Sequence, residues 1–154
     1  MPQYSSIVRS LDLEKFTEIL STSGRKAREV YFHRHNIRPP KTSGIPKVGA
    51  KNEFRTNALY DVLRQRDDEE LAEELLRTWL LTKRSLLAAA LDHLGIPHKD
   101  GLTDSDDVNR IEKLNAQELR GLYEKLKGVA PVDEIAVYLK FMGAQGVDDV
   151  VKAA

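Results

Sequence analysis

Basic and aromatic side chains are interleaved between Gly24 and Arg55. This stretch holds nine lysines and arginines against two acidic residues, a net charge of +7, whereas the whole chain carries 24 charges of each sign. Cations can contact phosphates while aromatic rings stack on unpaired bases. The pattern therefore supports the hypothesis of a nucleic-acid-binding segment. Its candidate contact residues are Arg25, Lys26, Arg28, Tyr31, Phe32, Arg34, Arg38, Lys41, Lys47 and Lys51.

The same stretch has two other interpretations. Its charges can simply be solvated, with Tyr31 and Phe32 anchoring a short helix to the core. Its positive charge would also suit an acidic protein partner. Because the whole chain has a formal net charge of zero, any preference for an anionic partner must come from a local surface.

Four residues separate Arg28 from His33, and six separate it from His35. This spacing resembles the arginine and histidine motif of the HEPN ribonucleases. The resemblance implies two helical protomers whose Arg and His side chains meet around an RNA phosphate, where arginine binds the phosphate and histidine transfers protons. It covers eight residues, and we assign neither a family nor catalytic residues from it. A helical ribonuclease-like enzyme is the third functional hypothesis.

Acidic residues cluster at Asp104, Asp106 and Asp107, close in sequence to His98. A calcium-binding loop starting at Asp104 fails, because Val108 stands where an oxygen ligand is required. We interpret the cluster as a solvated helix start that favours the helix dipole. The sequence predicts no metal site and no cofactor.

The chain contains no cysteine, which excludes disulfides, thiolate nucleophiles and cysteine-ligated metals. It also lacks glycine-rich phosphate loops and a nucleophile elbow, which favours a protein that is not an enzyme. The longest apolar run, Leu86 to Leu91, is too short to span a bilayer, and the first residues do not form a leader pattern. We therefore expect a cytoplasmic protein with no membrane partner.

Apolar residues recur at helical spacing along most of the chain, and no segment alternates as a strand would. The pattern predicts an all-α fold, an irregular bundle of about six to eight helices around one long central helix at about 68–94. Asp67 and its acidic neighbours suit the start of that helix, and Gly95 suits its end. Other predicted helices lie at 11–20, capped by Ser10, at 25–35, from Glu53 to Arg66, and in four shorter segments after residue 103. Thr103 or Ser105 is expected to cap the first of these four, and Asn115 with Glu118 predicts a capping box at the start of the second.

The prediction is a single helical domain over residues 1–154. It includes a basic loop at about 36–52 with three prolines and two glycines. Long loops of this kind are often functional. From these features we expect a protein-interaction module whose partner is another protein or a second copy of the chain, so that an oligomer is possible. Nucleic-acid binding through residues 24–55 is the leading alternative.

Overall fold

A computed structural model describes residues 3–38, 50–104 and 106–153, with only the backbone described for residues 50–52. Helices dominate these residues, where the strand-like pairing is limited to one isolated bridge between Lys99 and Leu102. The all-α prediction is confirmed. None of the helices described is both long and apolar enough to cross a membrane.

Ten helices form in the described residues, more than the six to eight predicted. In chain order, nine α-helices and one 3₁₀ helix are α1 (Tyr4–Arg9), α2 (Leu13–Ser21), α3 (Gly24–Arg34), α4 (Ala50–Gln65), α5 (Glu69–Leu80), α6 (Arg84–His93), the 3₁₀ helix (Asp106–Lys113), α7 (Ala116–Leu126), α8 (Val132–Phe141) and α9 (Val147–Ala153). They belong to two compact units, an N-terminal unit of residues 4–79 and a C-terminal unit from residue 80 onward, to which Gln3 is also assigned. The single domain over 1–154 stays a prediction.

The N-terminal unit is built on α2, which packs against both α3 and α4. Its core includes Phe16, whose ring centroid lies 5.3 Å from that of Tyr60 on α4. The Tyr60 hydroxyl donates a hydrogen bond of 2.8 Å to the carbonyl of Leu11. These contacts fix the spacing of α2 and α4, between which α3 presents its buried face.

The start of α2 differs from the prediction. Asp12, not Ser10, is the N-cap, and its carboxylate accepts a hydrogen bond of 2.7 Å from the backbone of Lys15. Ser10 instead donates its hydroxyl to the carbonyl of Ile7, at the end of α1. The six residues of α1 form too short a pattern to be recognised by periodicity. Ser10 was therefore predicted to begin α2, although it lies at the end of α1.

The single long helix predicted at about 68–94 is wrong, because α5 ends at Leu80 and α6 begins at Arg84. Lys83 has a non-helical backbone, and its ammonium pairs at 2.7 Å with Glu134, a buried carboxylate on α8. The Arg84 guanidinium donates to the carbonyl of Leu81, a group that a continuous helix would use itself. Apolar periodicity continues across the break, because the helices on either side each bury an apolar face.

The C-terminal unit packs α7 against both α6 and α9. Asn115 and Glu118 form the predicted capping box at the start of α7, with hydrogen bonds of 2.8 and 3.2 Å. Gly95 takes a positive φ of 70° just after α6, where the helix was predicted to stop. The helix predicted after residue 103 is instead a 3₁₀ helix in which only Ile111 is buried, so little apolar surface supports a regular α-helix. The alternative cap Ser105 lies outside the described residues.

Candidate binding groove

The predicted basic residues fall into three groups according to their surroundings in the structure. Arg25, Lys26 and Arg38 are in contact with solvent and form no hydrogen bond or ion pair with other described residues. Lys41, Lys47 and the side chain of Lys51 lie outside the described residues. The predicted loop at about 36–52 is likewise outside them from residue 39 to 49, and its last three residues already belong to α4. The remaining cations, Arg28 and Arg34, have specific contacts.

Tyr31 and Phe32 are not available to stack on bases, because they are only 4% and 3% exposed. Burial, with a smaller contribution from the Glu74 carboxylate, raises the pKa of Tyr31 to about 12. The guanidinium of Arg55 lies 4.6 Å from the centre of the Phe32 ring. The two rings therefore anchor α3, as the alternative interpretation of the sequence expected, and the predicted stacking role is corrected.

Arg34 and the neighbouring His35 are held by one buried carboxylate. Asp68, 8% exposed, accepts 2.9 Å contacts from both side chains, and its Oδ1 also accepts from the backbone nitrogen of Leu71 in the first turn of α5. A second carboxylate, Glu70, lies 3.6 Å from Arg34. Arg34 thus joins α3 to α5 and is not free to meet a ligand.

The arginine and histidine pair that resembles a ribonuclease motif does not assemble within this chain. Arg28 donates to the carbonyl of Ser21 at 3.3 Å, whereas His35 is engaged by Asp68. His33 is exposed, and five residues of an α-helix turn it about 140° away from Arg28. The geometry therefore gives no support to catalysis by this pair.

Arg28 does line a pocket of about 340 Å³ between α2, α3 and α4. Leu20 and Phe32 contribute apolar surface, and Glu53 contributes a carboxylate. The remaining lining residues are polar and belong to α2 and α4, namely Thr17, Ser21, Thr56 and Asn57. A pocket of this size can accommodate a large side chain or a small ligand.

A smaller pocket of about 230 Å³ shares Arg28 and is lined otherwise by Arg25, Glu29 and Arg55. The Glu29 carboxylate accepts a hydrogen bond of 2.9 Å from Arg55. That bond, together with attraction from Arg25 and Arg28, holds the pKa of Glu29 below its ordinary value. Three guanidinium groups thus surround one ionised carboxylate, and the local charge is positive. We call the two pockets together the Arg28 groove.

The two hydroxyl groups that α2 contributes to the Arg28 groove are engaged by the α2 backbone. Ser21 donates to the carbonyl of Glu18 at 2.6 Å, and Thr17 donates to that of Leu13 at 2.7 Å. The groove therefore offers charge and apolar surface instead of an activated nucleophile. No signal in the sequence identified Thr17, Leu20, Ser21 or Asn57 as groove residues, because they belong to helices far apart in the chain.

The acidic cluster near residue 104 does not form a metal site in the described part of the chain, where no three potential ligands come together. His98 has a structural role. Its Nδ1 accepts from the backbone nitrogen of Gly101 at 2.9 Å, and its Nε2 lies 2.6 Å from Asp92. These two contacts fix the loop that follows α6.

No protein-family model, curated protein or solved structure matches this chain. The chemistry of its surfaces is therefore the basis for any inference about function. The Arg28 groove combines a cavity, apolar surface and an excess of positive charge, which makes it the strongest candidate in the N-terminal unit.

Proposed function

We propose that the protein is a protein-interaction module whose Arg28 groove binds an acidic segment of a partner protein. The observation that carries this proposal is the position of Arg25, Arg28 and Arg55 around a single carboxylate, directly beside an apolar pocket. A partner segment with one large apolar side chain flanked by carboxylates complements both parts. The apolar side chain would occupy the pocket between α2, α3 and α4, and the carboxylates would meet Arg25 and Arg28.

The burial of Tyr31 and Phe32 favours a protein partner over nucleic acid. With these rings buried, the aromatic stacking surface in the described part of the basic segment is reduced to Phe54 on α4, which is 46% exposed. Two of its cations are also neutralised, since Arg34 is paired with Asp68 and Arg55 with Glu29. The carboxylate of Glu53 would repel a phosphate, whereas a peptide can offer it a backbone amide.

The densest run of acidic residues in the chain, which could have matched the groove in a second copy, is already engaged. Those between residues 67 and 74 contact groups of the same chain, so they are poor donors of charge to another molecule. The pairs are Asp67 with Arg9, Asp68 with Arg34, Glu69 with Ser5, Glu70 with Arg34, Glu73 with Arg77 and Glu74 with Tyr31. We therefore propose a different protein as the partner, in the cytoplasm.

Binding of a labelled peptide tests the proposal. The probe is a short fluorescent peptide with several carboxylates around one leucine. Its binding to the full chain is measured by fluorescence anisotropy. One buried leucine and a few exposed charge contacts should give a dissociation constant on the order of 10–100 μM. Replacing the leucine by serine, or the carboxylates by amides, should each weaken binding about tenfold or more.

A double variant in the groove is compared with a control double variant that changes the net charge by the same amount. Arg25→Glu/Arg28→Glu should abolish peptide binding, whereas Lys113→Glu/Lys125→Glu, which alters exposed residues of the C-terminal unit, should leave it unchanged. Circular dichroism should show equal helicity in both. Single-stranded RNA and duplex DNA are titrated in parallel at about 50 and 200 mM salt. Absence of peptide binding, with nucleic-acid binding that is lost in the groove variant, would overturn the proposal in favour of the nucleic-acid alternative.

A further inference from the structure

The C-terminal unit has a pocket of its own, of about 670 Å³, between the start of α7 and the start of α9. Its volume is within the range of natural small-molecule sites. Arg120 of α7 and Asp149 of α9 both line it. This pocket shares no residue with the Arg28 groove.

The two charged groups of this pocket are not satisfied by the protein. Arg120 and Asp149 are exposed, form no ion pair with each other, and have no hydrogen-bond partner among the described residues. Asp148, the adjacent residue, pairs with Lys140 at 2.8 Å. One carboxylate of α9 is therefore neutralised while the next faces a pocket that also presents a guanidinium.

The pocket also provides apolar and amide surface. Leu114 is half-buried and Val150 is 6% exposed, so the pocket continues from the core of the unit to its surface. Gln117 adds an exposed amide, and the Gln145 side chain donates to the carbonyl of Gly143 at 3.2 Å, leaving its oxygen as an acceptor. Such a lining matches a ligand that has an apolar body and a charge of each sign.

We infer that this pocket binds a zwitterionic ligand, an amino acid or short peptide with an apolar side chain. Its carboxylate pairs with Arg120, its ammonium group pairs with Asp149, and its side chain contacts Leu114 and Val150. Arginine suits this role because its planar guanidinium binds carboxylates with two parallel hydrogen bonds. Because the two protein charges are opposite in sign and not paired with each other, the pocket favours a ligand that carries both charges.

Titration of the full ¹⁵N-labelled chain with leucyl-leucine tests the inference. The amides of Ala116 and Gly146, which line the pocket, should shift with a dissociation constant on the order of 0.1–1 mM. N-acetyl-leucyl-leucine lacks the ammonium group and leucyl-leucinamide lacks the carboxylate, so each should bind about tenfold more weakly. Free leucine, titrated in the same way, shows whether the ligand is an amino acid or a peptide.

Two variants assign the charges. Asp149→Asn should remove the preference for leucyl-leucine over its acetylated form, and Arg120→Gln should remove the preference over the amide. The controls are Asp148→Asn, whose carboxylate pairs with Lys140, and Lys125→Gln, an exposed change on α7. Both controls should bind as the wild type does. The inference is overturned if neither leucine nor leucyl-leucine shifts these amides at about 10 mM, or if the neutralised analogues bind as well as the zwitterion.

Discussion

The two ends of α3 carry cations that meet very different surroundings. At the C-terminal end, Arg34 and His35 contact the buried carboxylate of Asp68, which also caps α5. At the N-terminal end, Arg25 and Arg28 have no carboxylate of their own, because Glu29 is bound by Arg55. The number of cations in a segment therefore does not determine its surface charge. That charge depends on which acidic residues the fold brings next to them. The balanced cluster joins α3 to α5, whereas the cluster at Arg25 and Arg28 leaves an excess of positive charge at the surface.

The largest effect is expected from Asp68→Ala. The change removes the carboxylate shared by Arg34 and His35 and also the acceptor for the Leu71 amide. We expect a loss of about 2–4 kcal/mol in the free energy of unfolding, measured with urea. Asp61→Ala, at an exposed site on α4, is the control and should stay within about 0.5 kcal/mol of the wild type. A small effect at Asp68 would mean that the two ends of α3 do not differ as described.

Single neutral substitutions at each end should separate stability from binding. Arg34→Gln leaves Asp68 with one cationic partner fewer and should cost about 1 kcal/mol of stability, with no change in peptide affinity. Arg28→Gln should change stability by less than about 0.5 kcal/mol but weaken binding of the acidic peptide about fivefold. Urea unfolding and anisotropy on the same two variants measure both quantities. Equal effects of the two variants on binding would contradict the comparison.

The smallest effect concerns the pH dependence of the N-terminal end. The hydrogen bond from Arg55 lowers the pKa of Glu29 below its ordinary 4.5 in the folded state. Because its pKa is lower in the folded state, ionised Glu29 stabilises the fold at pH values above its unfolded-state pKa. This stabilisation is lost as the pH falls through the folded-state pKa. The melting temperature of Glu29→Gln should therefore fall less steeply than that of the wild type on acidification below pH 4.5. If the melting temperatures of the two proteins fall equally steeply with decreasing pH, the Arg55 contact is not formed in solution.

Features set by neighbouring residues were predictable from the sequence. The Asn115 and Glu118 capping box depends on side chains within one helical turn, and the stop at Gly95 depends on the positive φ that glycine adopts readily; both are present. The all-α class follows from periodicity alone. By contrast, the break between α5 and α6 depends on Glu134, a residue about fifty positions away from Lys83. The spacing of apolar residues along the sequence contains no information about such a distant contact.

The candidate sites required the fold for the same reason. Charge density pointed to Arg25 and Arg28, which do line the Arg28 groove. The sequence could not show that Arg34 is neutralised by Asp68, or that Tyr31 and Phe32 face inward, because α3 has only a thin apolar stripe. The sequence also could not show that Arg120 and Asp149 line one pocket, since each looks like an ordinary surface charge of an amphipathic helix.

The turn between α5 and α6 has a practical consequence. Leu81 is 41% exposed, Thr82 is also exposed, and both lie outside α5 and α6. A short tag inserted at this position would leave α5 and α6 intact. The turn is therefore a suitable place to attach a fluorophore or to divide the polypeptide into two separately encoded fragments.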